Sequence, residues 1–513
     1  MPTPTRSGAE PPVATLAKIV ATIGPASDSP EMVRKLIEAG VAVFRFNFSH
    51  GDFAAHGKRL ATVRAVAAEM NRPIACLGDL QGPKIRVGKV PEGGISLPAG
   101  HDVIFRVGLD VARIEPQGPG AEPLAVLPVT YEPLVREVEP GHKVLVNDGA
   151  IRMLAVESNP DRGELRCRVI VGGLVTSGKG INLPQSNISA PAITDRDWEC
   201  ARWAVENRLD FVALSFVRRA EEVSELKNKL AEMAAEIHGA AADDPSRWTP
   251  VVAKIEKPQA LADLDRIVQE ADGIMVARGD LGVEMDIARV PVSQKEIVAK
   301  CAEHGKPCIV ATQMLETMIE NATPTRAEAS DVANAVFDGA DAVMLSAETA
   351  TGKHPVLVVE TMRRIIAVAE MRVASLPRHD APPQRVSDRH SPIAALAHGA
   401  WHVAQGTRAK AIAVWSQWGG SARYLSQNNF YIPIIAYSSN PVATRRMALY
   451  AGVTAVCSAP PADGTFTAWF AQVDRFVVAS GLASSGDPVL FLAGKPLGTP
   501  KVVNTITTRR VGD

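Results

Sequence analysis

Residues 275–284 read MVARGDLGVE, an apolar strand running straight into a loop that holds Arg278, Gly279 and Asp280. One unit earlier, residues 250–256 read PVVAKIE and carry Lys254 and Glu256 to a second strand end. Alternate residues of a strand share a face, so Lys254 and Glu256 point the same way. Glu256 and Asp280 can each give one oxygen to a Mg2+ or Mn2+ ion, which keeps its other positions for substrate and water. A lysine beside them can neutralise charge on a transferring phosphoryl group or an enolate. The plain alternative is a buried Lys–Glu ion pair. RGDLG weighs against it, because Gly279 lets backbone N–H groups approach a ligand carboxylate closely.

Other segments add groups of matching chemistry. FRFNFSHG (44–51) puts Arg45, Asn47 and Ser49 on one strand face, with Phe44, Phe46 and Phe48 turned into packing. Arginine with amide and hydroxyl neighbours suits phosphate oxygens. The alternative, a solvated polar face, fits poorly with a strand covered by helices. GDLQGPKIR (78–86) ends a strand at Asp79, turns through Gly82 and Pro83, and continues with Lys84 and Arg86. VATQM offers the Thr312 hydroxyl at a strand tip. LSAET offers Ser346 and Glu348, either in a proton-transfer chain or as support behind the site. Of the histidines, only His50 directly follows a site strand. Further on, WSQWGGSAR (415–423) reads as strand, Gly-rich turn and helix. Such a turn either binds phosphate at the helix start or is an ordinary connection.

These groups need a scaffold that brings strand ends together. From Lys18 the chain alternates apolar strands (KIVATIG, VFRFNFS, IACLGDL, FVALSF, VVAKIE, GIMVARGD, CIVATQM, AVMLSAE) with helical stretches near 29–39, 52–70, 195–207, 219–236, 263–271, 289–304, 325–338 and 355–373. Strands apolar on both faces mark a parallel sheet. Eight βα units predict a closed (β/α)8 TIM barrel, an α/β fold with its chemistry at the strand C-termini. The polar residues above fall at those ends.

The spacing predicts four regions. Residues 1–17, Pro-rich and without an apolar core, read as a disordered tail. The barrel catalytic domain takes 18–85 and 183–373. Residues 86–182, rich in Val, Gly and Pro, form a small β-barrel lid inserted after the third strand. Residues 374–513 follow a polar linker and form a C-terminal α/β regulatory domain.

Length, at 513 residues, allows roughly three domains. A net charge of −1 argues against nucleic-acid or membrane-surface binding. Six scattered cysteines without a CxxC pair make neither a disulfide framework nor a zinc site. No apolar run approaches the ~18 residues of a membrane span. A cytoplasmic enzyme is the expectation.

From Lys18 to the C-terminus the chain resembles the pyruvate kinase family, through ATIGPAS, FNFSHG, DLQGPKIR, KGINLP, KIE, MVARGDLGVE, ATQMLE and LSAET together. The resemblance implies transfer of the phosphoryl group of phosphoenolpyruvate to ADP, giving pyruvate and ATP, and a homotetramer. By motif, Arg45 binds the moving phosphate, Glu256 and Asp280 ligate Mg2+, and Lys254 stabilises the transition state. Gly279 and Thr312 contact the substrate carboxylate side, while Asn47, His50, Arg86 and Lys179 face the nucleotide. Most family members need K+, held by residues matching Asn47, Ser49, Asp79 and the Leu80 carbonyl, with a glutamate close by. That glutamate position is Lys84 here, which resembles the K+-independent branch; a fixed ammonium supplies the charge the ion would bring. The loop holding Ser416, Gly419, Gly420 and Ser421 matches the family's effector loop but places Trp418 and Gly420 in its middle, so a phosphorylated effector of open identity is expected. A metal-dependent aldolase barrel and a catalytically silent binding protein are the competing readings. An aldolase needs neither lid nor extra domain, and a silent protein would have lost Lys254, Glu256 or Asp280.

Overall fold

A computed structural model describes residues 15–117, 122–239, 248–376, 391–428, 430–499 and 502–513. Most of the expected N-terminal tail lies outside the described residues. Its last residues are tied down: the Leu16 and Ala17 amides donate to the Glu370 carboxylate at 3.0 and 2.7 Å.

Eight parallel strands close into a barrel in chain order: Lys18–Thr22, Val41–Asn47, Ala75–Asp79, Phe211–Leu214, Val251–Ile255, Gly273–Ala277, Cys308–Ala311 and Ala342–Leu345. Their apolar side chains are buried on both faces. Val20, Val43, Leu77, Val252 and Met275 fill the interior, and Ile19, Phe44, Phe46, Ile255 and Val276 pack under the helices. Helices follow where the apolar spacing changes from two to nearly four. Those at Pro30–Ala39, Asp195–Glu206 and Arg326–Phe337 start on Ser29, Thr194 and Thr325, whose hydroxyls accept an amide of the first turn.

One expectation changes. Residues 278–284 are not a loop but a two-turn helix, Arg278–Glu284, directly at the end of the sixth strand. Gly279 and Gly282 give it little intrinsic helicity, so tertiary anchors hold it. Arg278 pairs with Asp331 at 2.6 Å and donates to the Thr312 carbonyl at 2.8 Å.

After the third strand the chain leaves for a β-rich unit built on a seven-stranded sheet. Its strand order is Ile181–Asn182, Lys143–Val146, Ile151–Asn159, Glu164–Val171, Asp102–Arg106, Leu124–Pro128 and Arg113–Glu115. Beyond residue 390 lies a five-stranded sheet in the order Val453–Cys457, Ile434–Ser438, Ala411–Trp415, Pro488–Ala493 and Thr505–Arg510, the last antiparallel. Its Ala448 and Leu449 plug the N-terminal mouth of the barrel among the interior residues. Around that plug Arg445 reaches Asp210 at 2.9 Å and Gln427 reaches Asp341 at 2.6 Å. The opposite, C-terminal mouth is left for chemistry.

Candidate functional site

At that mouth a chain of charges crosses the barrel. Arg45 leaves the second strand and meets Asp79 on the third, with Nε and Nη2 each 2.6 Å from Oδ2. Arg45 Nη1 also donates to Thr22 Oγ1 at 3.1 Å. Asp79 Oδ1 lies 3.4 Å from Lys254 Nζ, which lies 2.8 Å from Glu256 Oε1. Lys254 is completed by Ser215, whose hydroxyl accepts from Nζ at 2.8 Å and donates to the Leu80 carbonyl at 2.7 Å.

Burial and neighbouring charges compete over the protonation of these groups. For Asp79, burial raises the carboxyl pKa, but Lys254 and Arg45 overcome it and hold it below its ordinary value. For Lys254, burial works against the ammonium, and Asp79 with Glu256 more than restores it, so its pKa is raised. Both therefore stay charged. Glu256 goes the other way: burial, reinforced by the negative charge of Asp280, raises its pKa despite Lys254.

The residues present fit a divalent cation. Glu256 is fully buried, and its Oε1 faces the Lys254 ammonium at 2.8 Å. Its other oxygen, Oε2, takes the Phe216 amide at 2.7 Å and so fixes the carboxylate plane. Asp280 stands close enough to destabilise the Glu256 charge. Among the described residues no group of three or more His, Cys, Asp or Glu is spaced to hold an ion. Two carboxylates with room for substrate and water is how Mg2+ prefers to bind.

Strained backbone surrounds this centre. Phe216, Thr312 and Gln313 have φ of 56°, 68° and 55°, and for a β-branched threonine such a value is costly and held only by its surroundings. Thr312 Oγ1 donates to the Ala311 carbonyl at 2.6 Å and accepts the Gly279 amide at 2.7 Å. A Cβ on Gly279 would lie 3.3 Å from Thr312 Oγ1, so a larger residue here would require Thr312 to shift by a few tenths of an ångström. Glu348 is buried and accepts the Ser346 amide at 2.6 Å and the Leu315 amide at 3.4 Å, so it braces the loop after Thr312.

The remaining sequence-derived residues spread around the mouth. Asn47 Oδ1 accepts the Ser49 amide at 3.1 Å, with Ser49 and His50 exposed beside it. His56, buried among Phe46, Phe48 and Trp203, holds the His50 carbonyl at 2.9 Å. Arg86 and Lys179 lie on the two chain segments joining lid to barrel, and Arg86 Nη1 donates to the Gly178 carbonyl at 2.8 Å. Lys84 is exposed in the cleft between lid and barrel, against Gly180. It makes no ion pair with Asp79, whose partners are Arg45 and Lys254. In the C-terminal sheet domain, Ser416 Oγ accepts the Ala422 amide at 3.1 Å, and Gly419, at φ 84°, makes the turn into the helix Gly420–Ser426. Ser421 is buried in that helix.

Ser215, Phe216 and Thr22 were not singled out from sequence. The rule that barrel chemistry sits just past strand ends points to Ser215, the first residue after FVAL; a lone serine gave no motif to notice.

Comparison with known proteins identifies the assembly. A pyruvate kinase barrel-domain model matches residues 14–359, and a pyruvate kinase alpha/beta-domain model matches residues 394–507. The chain belongs to the pyruvate kinase family. It is 39% identical over 496 residues to the pyruvate kinase of Mycobacterium intracellulare, covering 97% of this chain and 98% of that one. It is 38% identical over 499 residues to that of Mycobacterium tuberculosis, with the same coverage of 97% and 98%. A solved pyruvate kinase from Cryptosporidium parvum superposes with a TM-score of 0.83 at 31% identity, covering 97% of this chain and 96% of that one. Pyruvate kinase activity, transfer from phosphoenolpyruvate to ADP, follows from this membership, and the aldolase and silent-protein readings fall away. Among the described residues no helix is long and apolar enough to cross a membrane.

Proposed function

We propose that phosphoryl transfer in this enzyme is carried out by Arg45, Lys254, Glu256 and Asp280, with Mg2+ or Mn2+ on the two carboxylates and without a K+ requirement. The observation that carries the reading is the buried Arg45–Asp79–Lys254–Glu256 series of charges. A guanidinium has five N–H donors. Three of Arg45's are taken by Asp79 and Thr22, which leaves two aimed by fixed partners at phosphoryl oxygens. Lys254, held charged, neutralises the group in flight; such transfer depends on positioning and charge neutralisation. A divalent cation held there by Glu256 and Asp280 would supply Lewis-acid neutralisation of substrate oxygens. Thr312 and Gly279 line the substrate carboxylate side, and Asn47, His50, Arg86 and Lys179 the nucleotide side. The inserted unit, 86–182, acts as a lid that excludes water from the phosphate.

The K+ reading rests on Lys84 in place of a glutamate. Lys84 lines the cleft beside Gly180, while the ion pairs of Asp79 go to Arg45 and Lys254, so its ammonium acts through the cleft as a whole and not through an ion pair. A homotetramer, a cytoplasmic location and a phosphorylated effector at Ser416–Ser421 are part of the same proposal and rest on family resemblance. Pyruvate formation from phosphoenolpyruvate and ADP, measured in Tris buffer with and without K+, tests the central reading: turnover should persist without K+. A strong K+ requirement would overturn that part of it. Titration of sugar phosphates and AMP at low phosphoenolpyruvate tests the effector loop, and a flat response to all of them would make it purely structural.

A further inference from the structure

The helix Arg278–Glu284 carries Asp280 in its first turn and ends on Glu284. Four residues apart, the two carboxylates stand on one helix face. Asp280 looks to the reaction centre. Glu284 is held by Lys257 and the lid's Asn182, and its side chain is completely buried.

Glu284 Oε1 has two partners from different parts of the fold. Lys257 Nζ is 2.5 Å away, and Asn182 Nδ2 donates to the same oxygen at 2.8 Å. Lys257 directly follows Glu256, and its ammonium lies 5.7 Å from the centre of the Phe216 ring. Phe216 in turn gives its amide to Glu256. Asn182 belongs to the lid: it ends the strand Ile181–Asn182, paired to Lys143–Val146 of the lid sheet. A second lid element comes near the same helix one residue earlier, since a Cβ built on Gly149 would lie 3.6 Å from Val283 Cγ1. The lid's contact is thus placed on the helix that presents one metal carboxylate and on the lysine adjoining the other.

We propose that Glu284 is a positioning residue that couples seating of the lid to presentation of Asp280 and Glu256 to the divalent cation. The proposal rests on the assignment of Asp280 as a metal ligand. When the lid is seated, Asn182 and Lys257 together hold the Glu284 carboxylate and fix the end of the helix. When the lid swings away, the buried carboxylate loses its lid donor, a change the two-turn helix carries to Asp280. Coupling of this kind is reciprocal: metal binding must then favour the seated lid. Partners one shell out from a metal typically alter its affinity 10- to 100-fold.

Mn2+ binding to the full-length protein, read from the electron paramagnetic resonance signal of free Mn2+, tests this without reliance on turnover. Asn182→Ala and Glu284→Gln should each weaken Mn2+ binding by about tenfold. In the wild type, Mn2+ should slow amide exchange across 180–183, and both variants should lose that slowing, which a merely structural role would not produce. If Glu284→Gln fails to fold, Asn182→Ala, at the half-buried lid end of the same hydrogen bond, carries the test. Wild-type affinity with wild-type protection in Asn182→Ala overturns the coupling. Asp280→Asn separates the layers. If it loses Mn2+ while Asn182→Ala does not, the coupling alone is wrong. If it binds Mn2+ as the wild type does, the metal assignment fails and the coupling with it.

Discussion

Asp79 takes two contacts from the Arg45 guanidinium on a single oxygen, each at 2.6 Å, and leaves its second oxygen toward Lys254. One buried carboxylate therefore orients both cations that we propose act on the phosphoryl group. Asp79→Asn keeps the shape but removes the charge that holds them. Turnover should fall on the order of a hundredfold, since small misplacements of this kind carry such costs. The Michaelis constant for phosphoenolpyruvate should rise as well, because Arg45 loses its anchor. Steady-state kinetics of the purified variant decide; near-normal kcat would mean that Asp79 is only a packing carboxylate.

Lys84 faces the cleft beside Gly180 instead of pairing with Asp79. If its positive charge replaces a monovalent cation, Lys84→Glu should convert a K+-indifferent enzyme into one activated by K+. Rates in Tris buffer with increasing K+ would reveal this. A variant that stays indifferent to K+ at wild-type rate would remove Lys84 from the account.

Gly24 sits where the loop after the first strand meets the last βα unit. A Cβ placed on it would lie 2.5 Å from the Ala350 carbonyl oxygen and 2.8 Å from the Ala350 Cβ. Backbone cannot yield cheaply, so Gly24→Ala should cost about 1–3 kcal/mol through overpacking. A lowered midpoint of thermal inactivation is the expected readout, and an unchanged midpoint would show that the loop relaxes freely.

Asp341 lies almost fully buried where the C-terminal domain plugs the barrel. Burial pushes its carboxyl from 3.8 up to about 6, against the pull of the Cys308 and Ala451 amides and of Gln427 and Ser426. Between those two values the folded protein binds more protons here than the unfolded chain. This group's stabilisation is therefore full below about pH 4 and lost as pH rises through about 6. Asp341→Asn, which cannot titrate, should lack that loss. Thermal midpoints followed with pH should show the variant gaining on the wild type across this window, and a constant difference would contradict the assignment.

Much of this architecture was legible because it depends on patterns that sequence carries directly. Eight apolar runs separated by helical spacing give a parallel barrel, and Arg45, Asp79, Lys254 and Glu256 end those runs. What was not legible depends on contacts between distant segments. The helix at Arg278–Glu284 contains two glycines and exists because Asp331, Thr312, Asn182 and Lys257 hold it. The edge strands Val453–Cys457 and Thr505–Arg510 have mixed or polar faces and were hidden for that reason. Ser215 and Phe216 matter through one hydroxyl and one strained amide, neither of which has a sequence signature.

The most direct test of the central claim replaces Lys254 with methionine and measures two quantities on the same preparation. Mn2+ binding should remain largely intact, because Glu256 and Asp280 are untouched. Conversion of phosphoenolpyruvate and ADP to pyruvate and ATP should fall by about 100- to 1,000-fold, as on removal of one charge-stabilising group. Turnover close to wild type in Lys254→Met, with metal bound, would contradict the role given to this lysine and to the charge series built around it.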